Sequence, residues 1–360
     1  MRAWNTVDRL MQEGVTQGTF PGAVLRVSVG DLRVFERSYG WADLFSGRAM
    51  TVDTVFDLAS LTKPLATTLA VMALVSSGRL ALDDTCASVW PETAGTDKAG
   101  ITIRQLLCHQ SGLPAWRPFF LRLLSVPVSS RLTELKRMLL SEPLEVSPGT
   151  RSDYSDLGFM LMQWLVERTA GEGLSAFVER EVYRPLGISG LYFNETAREV
   201  AEPHRYAATQ LCPWRNRLLV GQVDDDNAWI AGGVGGHAGL FGTAGAVGSL
   251  LEALTAADQG SDGAGVFDPI WVRRFLKSGP QVRWALGFDT PSRKDSSSGH
   301  YFPEDSIGHL GFTGTSFWVH RSKKIIVVLL TNRVHPYRYH AGIKAFRPRL
   351  HDAVMKAVQV

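Results

Sequence analysis

The chain has 360 residues, 45% hydrophobic, 20% charged and 10% aromatic, and its 38 basic and 35 acidic side chains leave a net charge of only +3. This composition excludes disordered and fibrous classes and supplies apolar mass for a sizeable core. The mixed, near-neutral charge offers no footprint for a polyanion, so no nucleic-acid partner is expected.

The longest apolar runs, Leu69–Val75 and Ile325–Leu330, fall short of the roughly 20 residues a bilayer helix needs, so no membrane span is expected. The first residues, Met1 to Asp8, lack the basic start and apolar stretch of a secretory signal, which makes the cytoplasm the expected compartment. Cys86, Cys108 and Cys212 show no Cys-x-x-Cys spacing and read as small core residues. His335 and His340 lack partners at zinc-ligand spacing, and no His-Glu-x-x-His occurs, so neither a metal nor a cofactor is expected.

In chain order, a short amphipathic helix around Val7, Leu10 and Met11 precedes two strands, 23–29 and 32–37, joined at Gly30-Asp31 as a hairpin. The alanine-rich run 65–75 predicts a buried helix closed by Ser77-Gly78. Pro64 places its start close to Ser60, because only the first turn tolerates a missing N–H. From about 80 to 220 the pattern is helical, with helices over 103–107, 132–140, 157–169 and 174–183 and no evident strand pairs. Strand-like runs return at 284–288, 316–320 and 325–330, the last two joined by the turn Arg321–Lys324, and a helix over about 347–358 closes the chain. Ser296–Gly299 reads as a mobile loop. Strands at both ends with a helical middle predict a discontinuous sheet domain, 1–79 plus 221–360, carrying a helical domain, 80–220, with a site in the cleft between them.

Three segments can carry chemistry. Ser60-Leu-Thr-Lys63 sets a hydroxyl and an amine three residues apart on one face of a first helical turn. The preceding extended run 55–58 and the helix start favour an oxyanion there, and a lysine serving as base near neutral pH needs burial or a neighbouring cation to lower its pKa. Tyr154-Ser-Asp156 lies in a loop at the start of the helix beginning near Leu157, where a phenol can shuttle protons and Asp156 can cap. Gly308-His-Leu-Gly-Phe-Thr-Gly-Thr315 puts small residues ahead of a strand, so a substrate can approach the backbone closely.

Taken together, Phe20–Ala23, Phe56–Pro64, Leu106–Pro114, Tyr154–Gly158 and His309–Gly314 resemble the serine β-lactamase and penicillin-binding-protein superfamily. Within it the chain looks most like the class C-type branch, which holds β-lactamases, D-Ala-D-Ala peptidases and family VIII carboxylesterases. The resemblance implies an α/β (α+β) fold with an antiparallel sheet flanked by helices, Ser60 as acylated nucleophile, Lys63 as its activating partner and Tyr154 as proton shuttle. It implies an oxyanion hole from the N–H groups of Ser60 and Phe312. Which of Lys63 and Tyr154 is the formal base stays open, since such close groups titrate as a coupled pair.

Two departures bear on substrate. Asp156 stands where the family carries asparagine, so it cannot donate an amide hydrogen bond to substrate, and it can instead hold Lys63 protonated. His309-Leu-Gly311 replaces lysine-threonine-glycine, so Asp156, His309 and Gly311 form an altered substrate-binding set. In this reading His309 meets a carboxylate well only when protonated, near or below pH ~6.5. Gly221–Ala228 and Gly232–Phe241 are similar to a stretch in cell-wall-recycling members, with His237 as a structural histidine near the cleft and Asp224–Asp226 as a solvated turn. The expectation is a serine hydrolase acting on a small-molecule ester, with an amidase or D-amino-acid peptidase acting on peptidoglycan fragments, or a weak β-lactamase, as the alternative. A non-catalytic binding protein on the same fold is the reading from another class.

Overall fold

The computed structural model describes residues 2–195, 200–261, 265–277 and 284–358. Its thirteen strands are β1 (Gly22–Val29), β2 (Leu32–Asp43), β3 (Arg48–Ala49), β4 (Phe56–Asp57), β5 (Leu191–Phe193), β6 (Ala208–Cys212) and β7 (Arg217–Val220), then β8 (Leu240–Gly242), β9 (Trp284–Ala285), β10 (Phe288–Asp289), β11 (Ile307–Leu310), β12 (Ser316–His320) and β13 (Ile325–Thr331). The main sheet is antiparallel, in the order β3-β2-β1-β13-β12-β11-β10-β9, so the two chain ends meet at its centre. There Val24 faces Leu330 and Val27 faces Val327. β13 is apolar on both faces and β1 is buried on both because both are covered, with Arg26 and Ser28 of β1 bonded to Glu252 of the covering helix. Helices Arg2–Thr16 and Ile343–Val358 cover one face, and helix Ala244–Asp258 covers the other.

The Gly30-Asp31 hairpin and the strands over 316–320 and 325–331 form as expected. The stretch after 190 does not stay helical: β5 joins β4 and β8 in a second sheet, and β6 pairs with β7. β4, β5 and β8 are only two or three residues each, too short for a period-2 pattern to register. Ser296–Gly299 is held rather than loose: Ser298 is fully buried, and the Ser297 carbonyl accepts from His351 Nδ1 at 2.6 Å. Cys86, Cys108 and Cys212 are free thiols, Cys86 and Cys212 buried and Cys108 half-buried.

Between the sheets runs the helical segment that carries the nucleophile candidate. It starts as a 3-10 turn, Ala59–Leu61, widens into a π-turn, Lys63–Thr67, and becomes an α-helix at Thr68–Ser76. Two outside donors and acceptors support the wide turn, which is the kind of irregularity that recurs at functional sites: Tyr183 Oη donates to the Leu65 carbonyl at 2.8 Å, and Thr67 Oγ1 donates to the Gly236 carbonyl at 2.7 Å. Ala59–Ser76 is apolar and long enough by composition to cross a membrane, yet 83% of it is buried inside the protein, as a core helix is.

Candidate active site

Ser60 follows β4 through a strained link. Ala59 has φ of +48°, a left-handed conformation that costs an alanine roughly 1 kcal/mol or more. The Asp57 carboxylate holds it, accepting the Ala59 N–H at 2.8 Å. Beyond Ser60 the chain turns so that Lys63 Nζ donates to Ser60 Oγ at 3.1 Å. Tyr154 arrives from the loop ahead of helix Asp156–Ala170, whose N-cap is Ser155; its ring centre lies 4.8 Å from Lys63 Nζ and its phenol faces both Ser60 and Lys63. The structure thus brings Ser60, Lys63 and Tyr154 into one cluster.

Asp156, on the first turn of that helix, accepts from Lys63 Nζ at 2.6 Å, and the His237 carbonyl accepts a third bond from the same ammonium at 3.0 Å. Lys63 is fully buried, with Nζ 4.8 Å from the centre of the Tyr154 ring and 5.8 Å from that of Phe159. Burial alone would push its pKa down, as expected for a neutral base. The Asp156 carboxylate and Tyr154 outweigh burial and hold it above the ordinary value instead. Burial also raises Tyr154, with Asp156 adding to the rise and Lys63 opposing it.

His309 corrects one expectation. It is not an adjustable cation: it is buried under Tyr154 and Trp284, and burial, reinforced by the Lys63 charge, pushes its pKa down to about 3. Its Nδ1–H donates to the Leu310 carbonyl at 2.9 Å, since a carbonyl can only accept, leaving Nε2 as a bare acceptor with no partner among the described residues. Gly311 sits where a side chain could not. A Cβ there would lie 2.8 Å from the Leu58 carbonyl oxygen and 2.0 Å from Thr315 Oγ1, so glycine lets the end of β11 close on the turn before Ser60. Phe312 is half exposed at the cleft mouth, with the Arg333 guanidinium 4.8 Å above its ring.

The Asp224–Asp226 turn is not solvated either. Asp224 and Asp226 are buried and paired to Arg338 at 3.0 Å each, and Arg215 joins Asp226 at 2.9 Å. Asp225 Oδ1 accepts from His237 Nε2 at 2.9 Å; burial would raise this carboxyl, but the His237 hydrogen bond and the Lys63 charge hold it well below its usual range. Sequence reading missed Asp57, Arg338 and Arg347. Arg338 lies 112 to 114 residues from its acidic partners, so only the fold reveals the pairing. Arg347 is buried, donates to the Gly311 and Thr315 carbonyls at 3.2 and 2.7 Å, and is pushed down to about 9 by burial.

These groups surround one cleft of about 810 Å³, with Ser60, Tyr154, Asp156, His237, His309, Gly311 and Phe312 in its wall and Trp116 and Tyr339 at its rim. No cluster of three or more metal-ligating side chains occurs among the described residues.

Residues 7–348 match the family model described as Beta-lactamase. The chain is 31% identical to an N-acetylmuramyl-L-alanine amidase of Bacillus subtilis (strain 168), covering 91% of this chain and 80% of that protein. It is 29% identical to a putative D-alanyl-D-alanine carboxypeptidase of Escherichia coli (strain K12), covering 92% and 82%. Among solved structures it is similar to EstCE1, a hydrolase with promiscuous acyltransferase activity (TM-score 0.76, 21% identity, 98% of both chains). It is also similar to a penicillin-binding protein homologue from Caulobacter crescentus (TM-score 0.76, 20% identity, 99% and 98%). With a family match over nearly its full length and the fold to go with it, the chain belongs to the beta-lactamase family of serine hydrolases.

Proposed function

We propose that Ser60 Oγ is the nucleophile of an acyl-enzyme hydrolase whose best substrate is an amide in a small peptide-like fragment of peptidoglycan type. One observation carries the catalytic half of this reading: Ser60 Oγ accepts from Lys63 Nζ at 3.1 Å, and the Tyr154 phenol faces the same pair, at the wall of an open cleft. The Lys63–Tyr154 pair takes the Ser60 proton as Oγ attacks the carbonyl carbon, and returns it to the leaving amine as the tetrahedral intermediate collapses. Water then attacks the acyl carbon as the same pair takes its proton, and the pair returns that proton to Ser60 Oγ as the Oγ–acyl bond breaks and the acid leaves. The N–H groups of Ser60 and Phe312 are assigned to the oxyanion, each worth about 2.7–4 kcal/mol in the transition state.

The relatives near 30% identity, named as an amidase and a putative carboxypeptidase, support the amide. Asp156, His309 and Gly311 form the nearest substrate-facing wall. A neutral His309 with a bare acceptor suits a substrate N–H better than a carboxylate. An ester reading is favoured by the same neutral His309, and EstCE1 has this fold. Kinetics on p-nitrophenyl esters and on muropeptides, side by side, decide between the two. The amide reading requires the higher kcat/KM on muropeptides, and turnover confined to short-chain esters overturns it.

A further inference from the structure

Asp57 is a buried carboxylate two residues before Ala59, and the chemistry above gives it no proton to carry. Both of its oxygens bind backbone: Oδ1 accepts the Ala59 N–H at 2.8 Å and Oδ2 the Asp224 N–H at 2.6 Å. The first bond holds the left-handed residue that turns Ser60 into the cleft. The second ties that turn to the acidic loop, where Asp225 grips His237 Nε2, and the His237 carbonyl accepts from Lys63 Nζ, which reaches back to Ser60 Oγ. The hydrogen bonds close a ring behind the nucleophile: Asp57, the acidic loop, His237, Lys63 and Ser60. The same strand is clamped on its other side, as Thr313 Oγ1 donates to the Asp57 carbonyl and Thr315 Oγ1 to the Leu58 carbonyl at 2.8 and 3.1 Å.

We propose that Asp57 is a positioning residue: as a carboxylate it fixes the Ser60 turn and, through the Asp224–Asp226 loop and His237, the lysine that activates it. This rests on Ser60 being the nucleophile. Neutral asparagine can accept only one of the two N–H groups and turns its own N–H₂ towards the other, so Asp57→Asn opens the ring at one point.

The carboxylate is costly to keep. Burial, then the Asp224 and Asp225 charges, pushes Asp57 up to about 7, while the Asp224 and Ala59 N–H groups oppose the rise. Among the charged groups around it, Asp224 is itself paired to Arg338, Asp225 to His237 and Asp226 to Arg215 and Arg338. Thr313 and Thr315 face it as hydroxyls. Because the folded pKa lies above that of an unfolded aspartate, ionised Asp57 opposes folding fully above pH 7, and the penalty fades as pH falls through that value. A residue kept only for stability would be improved by neutralisation at pH 8.

The experiment compares wild type, Asp57→Asn and Ser60→Ala for the rate of Ser60 phosphonylation by an aryl phosphonate, across pH 5.5–8.5, with Tm measured at pH 8. The expected result is a Tm for Asp57→Asn at or above wild type, a labelling rate at pH 8 at least about tenfold lower, and loss of the wild-type rise in rate near pH 7. Equal labelling rates, or labelling lost only in step with a fall in the folded fraction, overturn the proposal. Wild type that takes no label at Ser60 defeats the nucleophile assignment instead, so the two failures are distinct.

Discussion

The Lys63 ammonium stands closer to the Asp156 carboxylate, at 2.6 Å, than to the Ser60 hydroxyl, at 3.1 Å. The pair is buried on the lysine side, and truncating one partner of such a pair leaves the other charge uncompensated. Lys63 is therefore held as a cation in the resting enzyme, and the free base in the cluster has to come from Tyr154 or from proton movement within the pair.

Asp156→Asn tests this arrangement. Asp156 raises both Lys63 and Tyr154, so its neutralisation lowers both, and the rise of kcat with pH moves to lower pH. The measurement is a kcat–pH profile of wild type and variant on one p-nitrophenyl ester. An unmoved profile would mean that Asp156 exerts no electrostatic control over the base.

Lys63→Ala and Tyr154→Phe each lower kcat by about 10²–10⁴-fold, and the double variant is little worse than either single one, because the two groups act as a unit. Steady-state kinetics with active-site titration check this. Strictly multiplicative losses would show the two groups acting independently.

Gly311→Ala places a methyl against the Leu58 carbonyl and Thr315 Oγ1. The end of β11 must retreat from the nucleophile turn, and a displacement near 1 Å costs about 10²-fold in kcat. Tm and kcat measured together locate the effect, and near-normal kcat would show that this close approach has no part in catalysis.

His309 does not titrate in the working range. Its folded pKa, about 3, lies below that of an unfolded histidine, so it contributes a loss of stability as pH falls from about 6.5 towards 3. His309→Gln reduces the loss of stability between pH 7 and pH 5 by about 2 kcal/mol at most, read as a smaller drop in Tm. NMR of the His309 ring shows a neutral Nδ1–H tautomer throughout pH 5–8, and a titration midpoint near 6.5 would refute its burial.

What the sequence made legible was local. Ser60 and Lys63 are one helical turn apart, Pro64 marks where that turn begins, and β12 and β13 carry the apolar runs 317–319 and 325–330 with a turn between them. The π-turn at Lys63–Thr67 was hidden because the Tyr183 and Thr67 bonds that support it come from and reach distant segments. The closing helix begins at Ile343, ahead of the expected start near 347, and holds Pro348 in its second turn. The charge state of His309 and the burial of Asp224 and Asp226 depend on Trp284, Tyr154 and Arg338, far away in the chain. Composition around the acidic triplet therefore pointed to solvent, where the fold supplies arginines.

The most direct measurement is the intact mass of the protein after reaction with an aryl phosphonate, followed by peptide mapping. The account predicts a single phosphonyl adduct on Ser60 that is absent from Ser60→Ala. No adduct, or an adduct on another residue with Ser60 unmodified, would contradict it.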